Sequence, residues 1–300
     1  MKQDILIGCV ADDFTGASDA ASFLMSKGMK TILFNGKPDG EIPPCQAVVI
    51  ALKSRTQETK SAVADSMAAF TWLKEQGAQH LYFKYCSTFD STKEGNIGPV
   101  VDAMLKAFGE KYTILCPALP VNKRTVENGI LYVDGVPLSE THMKNHPLTP
   151  MWESEIAKLM DPQGKYQTLN VNTELLAKSK EEILAAVDEF GKDKEHFYIV
   201  PDYVNDENGT KIAEVFGDLT VLTGGSGILA PLAAKYQQVQ AAKDSMTNGV
   251  DGKGIVLAGS CSKATLEQIA DFQTKGYASY KIDPMAVLSG TETVDTVWDF

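Results

Sequence analysis

The sequence predicts an α/β protein with a largely parallel sheet in an N-terminal domain, followed by the start of a second α/β domain. Short apolar runs alternate with amphipathic stretches of helical spacing through the first half of the 300 residues. Hydrophobic residues make up 44% of the chain, which is enough to fill the core of such a sheet. Alternation of this kind is typical of βαβ units, in which a helix connects two parallel strands.

The first five predicted strands are short apolar runs, and three predicted helices lie among them. The strands cover residues 5–10, 31–34, 47–52, 81–84 and 112–116. The helices cover residues 18–27, 61–76 and 100–108. Gly28 and Gly77 follow the first two helices, at the position where glycine commonly ends a helix.

The alternation breaks after residue 118. Residues 119–140 contain a predicted hairpin with Asp134 and Gly135 as its turn. Predicted strands resume at 198–201 and 219–223, and the polar stretch 237–253 is typical of a linker. From residue 254 the pattern predicts a strand, a tight turn of small residues and an amphipathic helix, and residues 292–300 again have helical spacing.

These patterns predict two domains, residues 1–249 with the linker and residues 250–300. The second stretch is shorter than an independent hydrophobic core usually requires. We therefore expect residues 250–300 to form only the beginning of a second domain.

The composition argues against several classes of protein. The net charge of −11 does not favour a nucleic-acid partner, because that surface needs a clustered basic face. There is no signal-peptide pattern and no apolar run of membrane-spanning length, so we expect a cytoplasmic protein without a membrane partner. The scattered cysteines (9, 45, 86, 116 and 261) and histidines (80, 142, 146 and 196) have no metal-ligand spacing.

Four polar, charged loops follow predicted strands. The first loop begins with Asp12 and Asp13, the second with Lys53 and the third with Lys84, and the fourth is the segment 117–124. Ligands of open parallel sheets bind at the carboxyl ends of the strands. We therefore expect these four loops to form a single site.

The adjacent carboxylates Asp12 and Asp13 are the sharpest signal. Carboxylates accept hydrogen bonds from the hydroxyls of a polyol, and one of them could take a proton from an attacking hydroxyl. Gly16 would allow a ligand to approach the backbone closely. Alternatively, either Asp could simply cap the following helix.

Two further groups of residues carry weaker signals. Short Gly/Ser turns at 224–227 and 258–262 could each offer backbone N–H groups to a phosphate. His142 and His146 lie in a predicted loop, where they could shuttle protons, although ordinary surface histidines are the favoured interpretation.

Several motifs, in this order, resemble those of the four-carbon acid sugar kinases, and most closely those of the 3-oxo-tetronate kinase branch. They are ADDFTGASDAASFL, LKSR, FKYCSTFDST with GNIGP, PALPVNKRT with NG, LSETHMKNHPLTPM, LTGGSG and LAGSCS. The resemblance implies an N-terminal domain that binds a sugar acid and a C-terminal domain that binds ATP. It also implies phosphorylation of the terminal hydroxyl of a 3-dehydro-tetronate (3-oxo-tetronate), D-threonate or D-erythronate, with Mg²⁺ expected alongside ATP.

For such a substrate, the resemblance and the residue types suggest specific roles. Asp13 is the first choice for the catalytic base and Asp12 the second. The substrate-binding candidates are Thr15, Gly16, Lys53, Arg55, Lys84, Ser87, Thr88, Asp90, Asn122 and Arg124. The ATP-binding candidates are Gly259, Ser260 and Ser262.

Two alternatives stay open at this point. The substrate could be D-threonate or D-erythronate, because residue types do not reveal the oxidation state at C3. The chain could also be a non-catalytic sugar-acid binder, since the family's second glycine-rich ATP-binding stretch is not in this sequence. Whether the protein forms a homo-oligomer is also open.

Overall fold

A computed structural model describes residues 5–239, 254–259 and 263–300. The chain divides into two compact units, Met1–Thr247 and Asn248–Phe300. The first unit contains every strand of the described residues.

An eight-stranded sheet forms the centre of the first unit. The strands in chain order are β1 (Ile7–Ala11), β2 (Thr31–Asn35), β3 (Ala47–Ala51), β4 (His80–Lys84), β5 (Tyr112–Cys116), β6 (Arg124–Glu127), β7 (Ile130–Val133), β8 (Val136–Pro137), β9 (Thr168–Val171), β10 (Phe197–Pro201) and β11 (Val221–Gly224). The large sheet has the order β2-β3-β1-β4-β11-β5-β10-β9, and all its neighbouring strands are parallel. The predicted α/β class with a parallel sheet is therefore confirmed.

Helices connect these strands. In the first unit they are α1 (Phe14–Ser26), α2 (Thr59–Glu75), α3 (Ile97–Phe108), α4 (Ile156–Met160), α5 (Thr173–Leu176), α6 (Lys180–Gly191), α7 (Asp206–Phe216) and α8 (Leu229–Val239). The strands β1 and β3 are fully buried along their length, as expected for strands covered on both faces.

The first two helices begin earlier than predicted. α1 begins at Phe14 rather than at residue 18, because the Asp13 side chain accepts the backbone N–H of Gly16. α2 begins at Thr59, where the Glu58 carboxylate accepts two backbone N–H groups of the first turn. In both cases a side chain satisfies N–H groups that would otherwise have no partner.

The predicted hairpin is confirmed, and a second one precedes it. Asp134 and Gly135 join β7 to β8 with φ values of 53° and 77°. Asn128 and Gly129 join β6 to β7 with φ values of 51° and 73°, a turn that the sequence analysis did not predict. Asn-Gly is as strong a hairpin signal as Asp-Gly, so this turn was predictable from the same rule.

A buried aspartate attaches this hairpin to the large sheet. Asp202, which follows β10 and is 0% exposed, accepts the backbone N–H groups of Asn128 (2.8 Å) and Gly129 (3.0 Å). It also accepts the N–H and hydroxyl of Thr173 and the side-chain amide of Asn170. Five donors therefore stabilise one buried carboxylate.

We expect Asp202→Asn to lower the free energy of unfolding by about 3 kcal/mol, because an amide NH₂ would face donors that now meet a carboxylate oxygen. Urea unfolding measures this change. Asp193→Asn, at an exposed position, is the matched control and should change stability by less than ~0.5 kcal/mol. Equal stability of the two variants would contradict the assigned role of Asp202.

The second unit contains three helices in its described part, α9 (Lys263–Thr274), α10 (Pro284–Ser289) and α11 (Val294–Trp298). The helical spacing near residue 300 is therefore confirmed. The strand predicted from residue 254 is wrong, because residues 254–259 are irregular and pair with none of the described residues. Leu257 in this segment is 90% exposed, whereas a buried strand would cover it.

A search of the described residues for helices that could cross a membrane found none of sufficient length and hydropathy.

Candidate functional site

The ends of three neighbouring strands bring the first three polar loops together. β1 lies between β3 and β4, and the backbone hydrogen bonds continue beyond the strands. Asp12 donates its N–H to Lys84 O (3.0 Å), and its carbonyl accepts the N–H groups of Ser54 (3.0 Å) and Arg55 (3.2 Å). The loop that carries Arg55 is therefore fixed directly against the loop that carries Asp12.

Arg55 binds three carboxylates at this edge of the sheet. Its Nε and Nη2 donate to the two oxygens of Asp12 at 2.9 and 2.8 Å, a bidentate contact. Nη2 also donates to Asp13 Oδ1 at 2.9 Å, and Nη1 lies 3.5 Å from Asp90 Oδ2. One guanidinium therefore joins all three strand-end loops, and we refer to Asp12, Asp13, Arg55 and Asp90 as the clasp.

Burial strengthens the ion pairs between Arg55 and the carboxylates of the clasp. Asp12 is 3% exposed, and burial raises the pKa of its carboxyl above the ordinary value, an effect that the Arg55 guanidinium opposes. Burial would lower the pKa of Arg55, but the contact with Asp12 raises it instead, so the guanidinium stays charged. The cation is therefore permanently available to hold the carboxylates in place.

Asp13 belongs both to the clasp and to helix α1. Its Oδ1 accepts the N–H of Gly16 at 3.0 Å as the helix cap, in addition to its bond from Arg55. A β-carbon at residue 16 would collide with the Asp13 carboxylate and would lie 2.9 Å from Lys84 Nζ, so only glycine fits. Asp13 therefore caps α1, whereas Asp12 is an ion-pair partner of Arg55.

The Asp90 loop has an unusual backbone. Phe89 and Asp90 both have positive φ values, 64° and 45°, which is rare for non-glycine residues and especially for a bulky aromatic one. Thr88 donates its hydroxyl to Asp90 Oδ1 at 2.6 Å, and Phe89 is fully buried. Left-handed residues of this kind cluster at functional sites, where the surrounding packing enforces them.

The four predicted cations have different environments. Arg55 is engaged in the clasp, while Lys84 is 3% exposed and donates to Tyr85 O at 2.7 Å. Lys53 is exposed and lines a cleft, and its ammonium group makes no hydrogen bond or ion pair within the described residues. Arg124 donates to Asn122 O at 2.6 Å, away from the clasp.

An open cleft lies beside the clasp. One wall comes from the strand-end loops and the other from the segment that follows residue 145. The lining residues are Asp12, Asp13, Lys53, Arg55, Thr56, His146, Leu148 and Thr149. Two carboxylates, two cations, two hydroxyls and an imidazole thus meet around a space suited to a small polar ligand.

His146 lines the cleft, although the sequence favoured an ordinary surface histidine at this position. Its Nδ1 lies 3.1 Å from the N–H of Thr149 and 2.9 Å from the Thr149 hydroxyl, and Thr149 is buried. Because Nδ1 accepts the N–H, the neutral imidazole carries its proton on Nε2. The histidine can therefore present a neutral donor, and its position across from two acidic residues was not visible in the sequence.

The fourth predicted loop, 117–124, does not reach this cleft. Strand β11 lies between β4 and β5, which separates the loop after β5 from the clasp. Asn122 is exposed, and Arg124 is half-buried beside it. Neither Asn122 nor Arg124 lines the cleft, because sequence order does not give strand order, and the place of this loop in a single site with the other three stays a prediction.

The remaining predicted residues are placed as follows. Thr15 is exposed in the first turn of α1, Ser87 is half-buried, and Thr88 is buried beside Asp90. Gly259 is exposed in the second unit, while Ser260 and Ser262 lie outside the described residues.

The Gly/Ser turn at 224–227 is a packing turn in this structure. The Gly225 N–H donates to Cys116 O at 2.9 Å, and a β-carbon there would collide with Pro117 O. The Ser226 hydroxyl donates to Asp19 on α1. The close approach of two backbone segments accounts for these glycines.

The cysteines of the first unit are poor nucleophiles. Burial raises the pKa of the Cys9 thiol to about 12 and that of the Cys86 thiol to about 11. Across the described ranges, no group of three or more His, Cys, Asp or Glu side chains could hold a metal ion.

The fold is a parallel α/β sheet with a polar cleft at its carboxyl edge, the position where ligands of open parallel sheets bind. Residues 7–232 match the family described as sugar-binding N-terminal domain. The chain belongs to this family.

Individual relatives extend the comparison. A protein of Brucella melitensis named 3-oxo-tetronate kinase is 41% identical over 280 residues, which are 92% of this chain and 64% of that protein. Other curated relatives of similar identity carry the same name. The chain thus spans about two thirds of the length of the curated relatives it matches.

Solved structures share the fold. A protein of Salmonella typhimurium LT2 has a TM-score of 0.83 and 41% identity, covering 92% of this chain and 66% of that one. A Bordetella bronchiseptica domain, crystallised as a domain-swapped dimer with bound citrate, has a TM-score of 0.67 and 28% identity, covering 92% and 66%.

Proposed function

We propose that this chain binds the sugar acid in an ATP-dependent kinase that converts 3-oxo-tetronate to its 4-phosphate. The observation that carries the proposal is the clasp beside an open cleft, in a chain 41% identical to a named 3-oxo-tetronate kinase. The substrate has one carboxylate and two hydroxyls, and the cleft offers both cationic and acidic groups. The citrate bound to a structural relative supports recognition of a hydroxy acid.

In this proposal different cleft residues bind different groups of the substrate. Lys53 and the Nε2–H of His146 bind the carboxylate. Arg55 holds Asp12 and Asp13 so that their oxygens face the hydroxyls. A compact ammonium and a neutral donor suit a carboxylate that approaches from solvent.

Asp13 is the proposed general base. The hydrogen bonds it receives from described residues all go to Oδ1, which leaves Oδ2 available to the terminal hydroxyl of the substrate. As that hydroxyl oxygen bonds to the γ-phosphorus of ATP, its proton passes to Asp13 and the bond between the β,γ-bridging oxygen and the γ-phosphorus breaks, releasing ADP. Positioning and charge neutralisation provide most of the remaining rate enhancement.

Residues 250–300 are proposed to begin the nucleotide-binding domain, with residues 1–249 as the substrate domain. Gly259, Ser260 and Ser262, in the segment of small residues before α9, would contact ATP. Mg²⁺ would arrive with the nucleotide phosphates, which commonly supply several of its ligands. An ATP-dependent reaction of this kind also fits the cytoplasm, and a homo-oligomer fits the domain-swapped dimer of a relative.

We expect His146→Asn to weaken binding of 3-oxo-tetronate about tenfold without changing the melting temperature. The Asn carboxamide oxygen can replace Nδ1 as the acceptor for Thr149, but the Nε2 donor is lost. Calorimetric titration gives the affinity, and His142→Asn, at an exposed position outside the cleft, is the matched control. Equal affinities of the two variants would show that His146 only shapes its loop.

An ADP-release assay on the whole protein tests the proposed function. The panel contains 3-oxo-tetronate, D-threonate and D-erythronate, and we expect the highest kcat/KM with the 3-oxo acid. A higher kcat/KM with D-threonate or D-erythronate would reassign the substrate. Binding of a four-carbon acid without ADP release on any of the three would instead indicate a non-catalytic binding protein.

A further inference from the structure

A second, narrower pocket lies behind the clasp. Its lining residues are Asp12, Ser54, Arg55, Phe83, Asp90, Ser91, Asn96 and Ile97. The polar residues among them are mostly buried, and the enclosed space holds roughly one water molecule. This pocket shares Asp12 and Arg55 with the open cleft, so the two spaces are adjacent at the clasp.

The amide of Asn96 has a fixed orientation. Its Nδ2 donates to the carbonyl oxygens of Ser54 (2.8 Å), Arg55 (3.3 Å) and Gln57 (2.8 Å). A flipped amide would place an oxygen against three carbonyl oxygens, so Oδ1 must point away from that loop. Asn96 is 6% exposed, and its buried Oδ1 has no hydrogen-bond partner among the described residues.

Ser54 contributes a second buried polar atom without a partner. Its Oγ makes no hydrogen bond within the described residues, and the residue is 2% exposed. A buried hydroxyl or amide oxygen without a partner carries a desolvation cost that a bound polar group would remove. Two such atoms at one pocket indicate a place for a ligand atom.

The chemistry of the pocket selects a hydroxyl. Asn96 Oδ1 and the carboxylates of Asp12 and Asp90 can only accept hydrogen bonds when ionised, so the ligand group must donate one. The Ser54 hydroxyl can donate in return to the oxygen of that group. A keto, carboxylate or phosphate oxygen could accept from Ser54 and from Arg55, which also lines the pocket, but it would leave Asn96 Oδ1 without a donor. A hydroxyl both donates and accepts, so the pocket favours a hydroxyl over those groups.

We propose that this pocket binds the C2 hydroxyl of the four-carbon acid and so sets specificity at C2. The inference rests on the proposed function. It concerns the part of the substrate that Ser54 and Asn96 would contact, two residues that the sequence did not predict for the site. A hydroxyl enclosed here cannot meet the phosphoryl donor, so it is not the one that reacts. In 3-oxo-tetronate the only hydroxyl besides the terminal one is at C2.

The proposal is tested by combining one protein variant with one change of ligand, so that the two effects can be compared. Calorimetry compares the wild type and Ser54→Ala, each with freshly prepared 2,4-dihydroxy-3-oxobutanoate and with its 2-deoxy counterpart, 4-hydroxy-3-oxobutanoate. We expect Ser54→Ala to weaken binding of the dihydroxy acid about fivefold and to leave binding of the 2-deoxy acid unchanged. Stability should not fall, because the Ser54 hydroxyl makes no hydrogen bond in the described residues.

Ser66→Ala is the matched control, since Ser66 on α2 is also buried with an unpartnered hydroxyl and does not line the pocket. It should leave both affinities unchanged. An equal loss for the two acids in Ser54→Ala, or no loss for either, would overturn the proposal and leave the proposed function intact. If the wild type binds neither acid, the proposed function itself fails, and this inference fails with it.

Discussion

Arg55→Met is expected to cause the largest loss of stability among substitutions in the site, about 3–5 kcal/mol at pH 7. The variant removes the guanidinium that contacts Asp12, Asp13 and Asp90, and Asp12 is too buried to be compensated by water. Breaking a buried pair by deleting one partner leaves an uncompensated charge, which is the costly case. Binding of 3-oxo-tetronate should be lost as well, because the carboxylates would no longer be held toward the cleft.

The pH dependence of this loss has a defined sign. Burial already raises the pKa of Asp12, and without Arg55 that pKa rises further. The folded variant then binds a proton that the unfolded chain, with its carboxyl pKa of about 4, releases at neutral pH. The variant therefore regains stability relative to the wild type as the pH falls through the raised pKa.

Urea unfolding of wild type and variant between pH 7 and pH 5 measures both effects. Arg55→Lys is the matched control, because it keeps the charge but loses the bidentate geometry. We expect it to lose less stability than Arg55→Met and still to bind the acid poorly. An Arg55→Met protein as stable as the wild type at every pH would contradict the role given to the clasp.

Asp13→Asn is expected to lower kcat of the whole enzyme by about 10²–10⁴-fold, with a much smaller change in KM. The amide cannot accept the proton of the terminal hydroxyl, but its oxygen can still cap α1 by accepting the Gly16 N–H. Stability should therefore change little. The substitution separates the catalytic role of Asp13 from its role as a helix cap.

Two further variants are compared with Asp13→Asn by steady-state kinetics and urea unfolding. Asp13→Ala removes both roles and should lose about 1 kcal/mol of stability in addition to activity. Asp12→Asn should weaken substrate binding more than turnover, because Asp12 is the main partner of Arg55. Full activity of Asp13→Asn would show that this carboxylate only caps the helix and supports the clasp.

Much of the fold was predictable because local patterns determined it. The apolar runs before Asp12 and before Cys116 predicted buried strands, and the Asp134-Gly135 turn predicted a hairpin. Helix starts were less predictable, since they depend on which side chain caps the first turn, as Asp13 does for α1. The strand predicted from residue 254 shows the limit of such patterns, because a strand forms only where a partner strand pairs with it.

The sequence by itself determined the class of the protein and most of the chemistry-bearing residues of its site. Asp12, Asp13, Lys53, Arg55 and Asp90 were all expected at strand ends, and parallel strands bring such ends to one edge.

Only the tertiary structure decided how these residues are used. The strand order placed β1 between β3 and β4 and separated the loop of Arg124 by inserting β11. In the folded chain Arg55 binds the carboxylates, whereas Lys53 lines the cleft. His146, which is distant in the sequence, lines the opposite wall of the same cleft. Local sequence patterns encode strands and turns, whereas partner choice among charged side chains depends on distances and burial that arise only when distant segments pack together.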